Sequence, residues 1–388
     1  MINKVFYFIA SPLDSRDVER FGFEILQHNG IDVEVWDFTA IVNPMRLTYT
    51  PPDQCNFNKC RLFDRNDAVN SAIKNLPVGS FVVCILTYEY RSYCVFRSLS
   101  KHRIPYGLYF YSHPFHISTK STIKRILNIT PAKLATYLFN TLPLKYFGLR
   151  PASVVLALGG VITIPTFAMN KETKILWSHI FDYEIYLNIM KQSIKLDKKQ
   201  VVFLDQYFPF HPDDPIGNHI ISAEDYYPRL CRFFDYLEKK YGIHIVIAAH
   251  PRSQYETKTC LYGSRTITRG RTAELVSASW FVILHDSTSV SYPVLFKKPM
   301  LFITTDLLQK ARMGVTEQVA GLFNKRVLNI DQSYEFDENS ELTVSDKLYE
   351  EYINKYIKKS GEDDTPAWQK FADYLKKQNE IGRTKKHG

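Results

Sequence analysis

The sequence predicts an α/β protein of two Rossmann-like domains facing a cleft, followed by a helical C-terminal tail. Short apolar runs of strand length alternate with helical stretches, the pattern of a parallel sheet covered on both faces. That pattern restarts after the charged segment 191–200 (KQSIKLDKKQ). The length of 388 residues suits two domains of ordinary size, and 45% apolar residues can fill two cores. The expected boundaries are 1–190 for the first domain, 200–340 for the second and 341–388 for the tail.

In the first half, KVFYFIA (4–10) reads as a strand. A loop with Asp14 and Asp17 follows, then a helical run that stops at Asn29-Gly30. IDVEVWDF (31–38) alternates in polarity, and SFVVCILTY (80–88), PYGLYFY (105–111) and SVVLALGG (153–160) continue the strand series. In the second half, VVFLD (201–205) is a strand and AEDYYPRLCRFFDYLEKKYG (223–242) an amphipathic helix with a glycine stop. IHIVIAA (243–249), FVILH (281–285) and PMLFIT (299–304) are strands, and TAELVSASW (272–280) is a short helix leading into the second of them. The tail is helical twice, over DKLYEEYINKYIKK and PAWQKFADYLKKQ, and ends in the basic GRTKKHG.

The net charge of +9 is unevenly spread. No aspartate or glutamate lies between Tyr90 and Lys171, a window holding eleven basic residues, more than the whole net charge. Within it, Lys120, Lys124, Arg125, Lys133, Lys145 and Arg150 alternate with Leu, Ile, Phe and Tyr. That mixture suits an anionic membrane surface, where each basic residue adds about 1 kcal/mol and apolar side chains enter the headgroup region. An ordinary basic helical hairpin is the plainer alternative. No nucleic-acid-binding motif accompanies the charge. The run 152–168, broken by Gly159-Gly160 and Pro165, falls short of the roughly 20 residues of a spanning helix. The first ten residues are too short for a secretory signal. The six cysteines show no metal-ligand spacing; Cys55 and Cys60 form the one cluster. The expectation is a reduced, cytoplasmic chain, peripheral on a membrane's inner face.

The chemistry points to the strand ends. In an open parallel sheet, ligands bind beyond the carboxyl ends of the strands. His250 ends one buried strand, and Pro251 behind it restricts the turn. His285-Asp286-Ser287-Thr288-Ser289 ends another. A hydroxyl-rich helix start offers N–H donors to an anion, most naturally a phosphate. Arg252 and Arg265 are expected to add positive charge, and Glu274 to reach a ribose hydroxyl. A histidine beside a phosphate favours its protonated form and can protonate a leaving phosphate. Helix capping alone is the plainer account of the hydroxyl triplet. His-Pro by itself is weak, since His113-Pro114 and His211-Pro212 also occur. The acidic pairs Asp213-Asp214 and Asp363-Asp364 sit among turn residues and read as loop turns rather than as a metal motif.

HPRSQYE followed by RTAELVSASWFVILHDSTSVSYPVLFKKPMLFIT resembles the nucleotide-binding half of bacterial surface-polysaccharide glycosyltransferases of the GT-B fold, in the style of the sialyltransferase-like and Kdo-transferase-like enzymes. The resemblance covers about 201–305. It implies a CMP-sugar held by the His-Pro and Ser/Thr-Ser motifs. His250 would contact the donor phosphate or act as acid, Ser287, Thr288 and Ser289 would bind phosphate, and no cofactor would be needed. Those enzymes keep an acidic base in a short Asp/Glu-Asp/Glu-Gly motif, which is absent here. Candidate bases near strand ends are Asp14, Asp17, Glu89, Asp182 and Glu184, with Asp17 first and Glu89 second. For Asp17 the competing role is a helix cap, for Glu89 an ion pair with Arg91.

The expected function is therefore sugar transfer from a nucleotide donor, with a CMP-linked sugar expected, to a bacterial cell-surface glycan such as capsule, O-antigen or lipopolysaccharide. Two alternatives stand beside it: a sugar-nucleotide 2-epimerase-like isomerase and a non-catalytic, membrane-associated scaffold of polysaccharide assembly.

Overall fold

A computed structural model describes all residues except 49–54, 56, 113, 115–143, 163–167, 193, 212–220, 259, 313 and 388. The chain forms two compact units. Each is a Rossmann-like α/β unit built on one fully parallel sheet.

Unit 1 carries β1 (Lys4–Ile9), β2 (Asp32–Asp37), β3 (Cys60–Leu62), β4 (Ser80–Cys84), β5 (Tyr106–Tyr111), β6 (Val154–Leu158) and β7 (Lys174–Ser178), in the order β3-β2-β1-β4-β5-β6-β7. Unit 2 carries β8 (Gln200–Leu204), β9 (His244–Ala249), β10 (Ile267–Arg269), β11 (Val282–Leu284), β12 (Met300–Thr304) and β13 (Val327–Asn329), in the order β10-β9-β8-β11-β12-β13. In both sheets the chain starts at a central strand, builds outward on one side, and returns to build on the other. The strand order therefore reverses between β1 and β4 in unit 1, and between β8 and β11 in unit 2. Such a reversal opens a crevice at the carboxyl edge, because the flanking connections run to opposite faces.

The nine strands read from the sequence are the central ones. Strands β3, β7, β10 and β13 were not read, and each is a sheet edge. Central strands bury both faces and appear as unbroken apolar runs such as β11, whose residues are all fully buried. The residues of β3 are all exposed and those of β10 and β13 half-buried, so no apolar run marks them.

The unit boundaries fall at 179/180 and 360/361 rather than at 190–200 and 341. Helix Phe181–Met190 belongs to unit 2, where buried Asp182 accepts hydrogen bonds from the hydroxyls of Ser291 (2.5 Å) and Tyr292 (3.3 Å). The expected separate tail is divided between the units: 341–360 joins unit 2, and the residues from Gly361 onward return to unit 1. There helix Ala367–His387 packs Trp368 against Tyr109 (5.7 Å, stacked) and Tyr7 (5.3 Å). The indole N–H of Trp368 donates to the carbonyl of Arg20 at 2.7 Å. Gly22 makes this approach possible. Its φ is +59°, and a Cβ there would lie 2.3 Å from the Trp368 ring.

In unit 2, helix Ala223–Tyr241 starts at Ser222, whose hydroxyl caps the N–H of Asp225, and ends at Gly242 with φ +61°. Its buried residues Tyr226, Tyr227, Leu230, Phe233, Phe234 and Leu237 recur at helical spacing and cover the sheet.

Candidate functional site

The site is best defined in unit 2, at the carboxyl edge. Strand β8 pairs with β9 on one side and β11 on the other, with Leu204 in register with both Ala248 and Leu284. The tip of β8, Asp205 and Gln206, therefore lies between His250 after β9 and the 285–289 motif after β11. At the usual strand spacing, the flanking tips are about 10 Å apart, which a phosphate with its attached sugar can span.

His250 is half-buried, so its ring is not walled off in the core. The tight turn after β9 brings the backbone N–H of Arg252 to within 3.1 Å of Nδ1. In the neutral ring that places the remaining proton on Nε2. His211, from the loop after β8, stands edge-to-face with His250 at 4.9 Å between ring centres. The His211-Pro212 pair, treated in the sequence as coincidental, thus supplies a second imidazole.

Beneath His250 lies Asp205, 3% exposed. It accepts hydrogen bonds from the hydroxyls of Tyr255 (2.7 Å) and Tyr262 (2.9 Å), from the N–H of Tyr207 (2.9 Å), and from the backbone N–H of His250. Burial pushes its carboxyl above the ordinary value, and those donors pull it back. Tyr227 extends the cluster through Tyr255, oxygen to oxygen 3.1 Å. This buried carboxylate pins the backbone from which the imidazole projects.

The 285–289 motif separates into three roles. His285 is 1% exposed; its Nδ1 donates to the carbonyl of Ile303 (2.7 Å) and its Nε2 accepts from Tyr226 (3.0 Å). Burial pushes its pKa down to about 4, so the ring is a neutral bracket rather than a titrating group. Asp286, also 1% exposed, exchanges hydrogen bonds with Gln206 across the reversal point: the Gln206 amide donates at 2.8 Å, and the Asp286 N–H donates back at 3.1 Å. Its other oxygen holds Arg312 at 2.7–2.8 Å. Ser287 caps the turn Thr288–Val290 by accepting the N–H of Ser289 at 3.2 Å, and the turn runs into helix Ser291–Leu295. Thr288 is exposed and Ser289 half-buried. The triplet is thus a cap whose hydroxyl-bearing residues line the carboxyl edge.

The other expected residues scatter. Arg252 is half-buried two residues beyond His250. Arg265 must be withdrawn from the donor site. Its side chain is 8% exposed and holds Asp235 (2.5 Å) and Glu238 (2.6 Å). Burial would lower its pKa, but those partners outweigh it and hold the guanidinium above its usual value. Glu274 sits half-buried in the first turn of helix Thr272–Ala278, 3.9 Å from Arg271.

In unit 1, Asp17 and Glu89 follow β1 and β4, the two strands flanking that unit's reversal point. Asp14, not Asp17, is the helix cap, accepting the N–H of Asp17 at 2.8 Å. Asp17 is 7% exposed, 3.9 Å from Arg20. Glu89 caps the turn Tyr90–Ser92 in a reciprocal pairing with Ser92; burial pushes its carboxyl up, against Arg91. Asp182 is withdrawn as a base, since it is buried in unit 2 and hydrogen-bonded there.

Of the basic surface residues, Lys145 and Arg150 are exposed, while Lys120, Lys124, Arg125 and Lys133 lie outside the described residues. Among the described residues, no helix is long and apolar enough to cross a membrane, and no group of three or more His, Cys, Asp or Glu is arranged to hold a metal. All six cysteines are free thiols.

No family model and no curated protein matches the chain. Solved structures of similar shape include UDP-GlcNAc 2-epimerase from Methanocaldococcus jannaschii, 9% identical over 96% of this chain and 99% of that one, TM-score 0.43. MurG from Acinetobacter baumannii is 12% identical over 97% and 99%, TM-score 0.44. The glycosyltransferase SnogD from Streptomyces nogalater is 10% identical over 98% and 99%, TM-score 0.46. Similarity at this level leaves the function to be argued from the site.

Proposed function

We propose that the chain is a glycosyltransferase that binds a nucleotide-activated sugar at the carboxyl edge of unit 2. The observation that carries this reading is the placement of half-exposed His250 and the Ser287 cap on either side of the β8 tip, at the point where strand order reverses. The Nε2–H of His250 would donate to the phosphate oxygen as the bond from the sugar's anomeric carbon to that oxygen breaks. Thr288, Ser289 and the short turn they start would hold the phosphate. Glu274 would serve the ribose and Arg252 the charge. An acceptor hydroxyl forms the new bond and gives its proton to a carboxylate base. The proposed transfer uses no metal or cofactor. The donor is proposed to be a CMP-linked sugar, the acceptor a bacterial surface glycan, and the site of action the cytoplasmic face of the inner membrane, reached through the basic span.

Calorimetric titration with CMP, UDP, GDP and TDP identifies the base. His250→Ala is expected to lower transfer by about 10²–10⁴-fold with an unchanged thermal melt. Ser287→Ala with Thr288→Ala is expected to raise the donor KM about tenfold. Full rate and affinity in both variants would remove the site from this edge. Conversion of the donor's sugar without any acceptor would instead favour an isomerase.

A further inference from the structure

We propose that Arg312 is a phosphate-binding residue of this site, held in orientation by Asp286 and Gln206; the inference rests on unit 2 being the nucleotide site. Three successive strand ends supply the arrangement: Gln206 follows β8, Asp286 follows β11, and Arg312 ends the helix Asp306–Arg312 after β12. Both oxygens of the Asp286 carboxylate are engaged, one by the Gln206 amide (2.8 Å) and the other by Nε (2.8 Å) and a terminal nitrogen (2.7 Å) of Arg312.

The two partners differ sharply in exposure. The Asp286 side chain is 0% exposed and that of Arg312 is 38%. A guanidinium has five N–H groups in a planar fork. Two are spent on Asp286, and no described residue takes the remainder. The ring of Phe208 lies 5.4 Å from the guanidinium carbon, giving the fork a second fixed contact. Asp286 directly precedes Ser287, so this oriented fork stands beside the hydroxyl triplet at the reversal point. An ion pair with one buried member adds little stability over an apolar pair of the same shape. Its position and its unspent donors fit recognition of two phosphate oxygens, for which a planar fork is suited and an ammonium is not.

The test compares wild type, Arg312→Lys and Arg312→Gln by calorimetry with CMP, UDP, GDP and TDP. Lysine preserves the charge beside Asp286 and with it the fold, but loses the fork. For the nucleotide that wild type binds tightest, the affinity of Arg312→Lys is expected to fall about tenfold or more, with a near-wild-type melt. Arg312→Gln is expected to bind more weakly still; if it fails to fold, the lysine variant decides. Wild-type binding with an affinity loss under about twofold in Arg312→Lys overturns the inference and leaves the nucleotide site standing. Binding of none of the four by wild type overturns both.

Discussion

His250 and His285 end two apolar strands only one strand apart, yet only His250 is accessible. The buried ring of His285 gives a pH signature. Its pKa is about 4 when folded and about 6.5 when unfolded. The unfolded chain therefore takes up the proton first as pH falls. The stability from the neutral ring is fully present above pH 6.5 and is lost toward pH 4, at up to about 1.4 kcal/mol per pH unit. Asp205 acts with the opposite sign: its raised carboxyl contributes stability at low pH that is lost as pH rises through the folded value. Comparison with His285→Gln cancels that background. Urea melts between pH 7 and 4.5 should give a shallower decline in the variant; equal slopes would mean that His285 is not held neutral. The buried role of His285 was not legible in the string HDSTS. The neighbours that distinguish the two histidines, Tyr226, Ile303 and Arg252, come from elsewhere in the fold or from a turn geometry that sequence does not specify.

At the scale of elements, alternation and apolar runs identified the central strands, because those strands satisfy one requirement, burial on both faces. The helix at 223–242 was equally plain, with its apolar spacing and glycine stop. The C-terminal helix was seen as a helix, but its destination was not, since an amphipathic pattern names a buried face without naming what covers it. Trp368 shows the consequence. It fills the space over Gly22 and stacks on Tyr109 and Tyr7. Trp368→Ala is expected to cost about 3–5 kcal/mol, lowering the melting temperature. Gly22→Ala should also destabilise, through both its left-handed backbone and the collision with the indole. A Trp368→Ala melt within a degree of wild type would show that the helix does not stabilise unit 1.

At the scale of the whole molecule, the charge excess lies in unit 1 and the proposed donor site in unit 2. Charge reversal at Lys124, Arg125 and Lys133 is expected to reduce co-sedimentation with anionic liposomes while leaving nucleotide affinity in place, each lost positive charge removing about 1 kcal/mol of surface attraction and each new negative charge adding repulsion. An unchanged pellet would remove the membrane from the proposal.

By itself the sequence determined two parallel α/β halves, the central strands, and the strand ends where His250 and Ser287 lie, because burial and helix capping act locally and leave periodic marks. Tertiary structure alone decided the edge strands, the return of the C-terminal helix to unit 1, the withdrawal of Arg265 into an ion pair, and the meeting of Gln206, Asp286 and Arg312. Those depend on which distant residues become neighbours, and the order of strands in a sheet, not the order of residues in the chain, sets that.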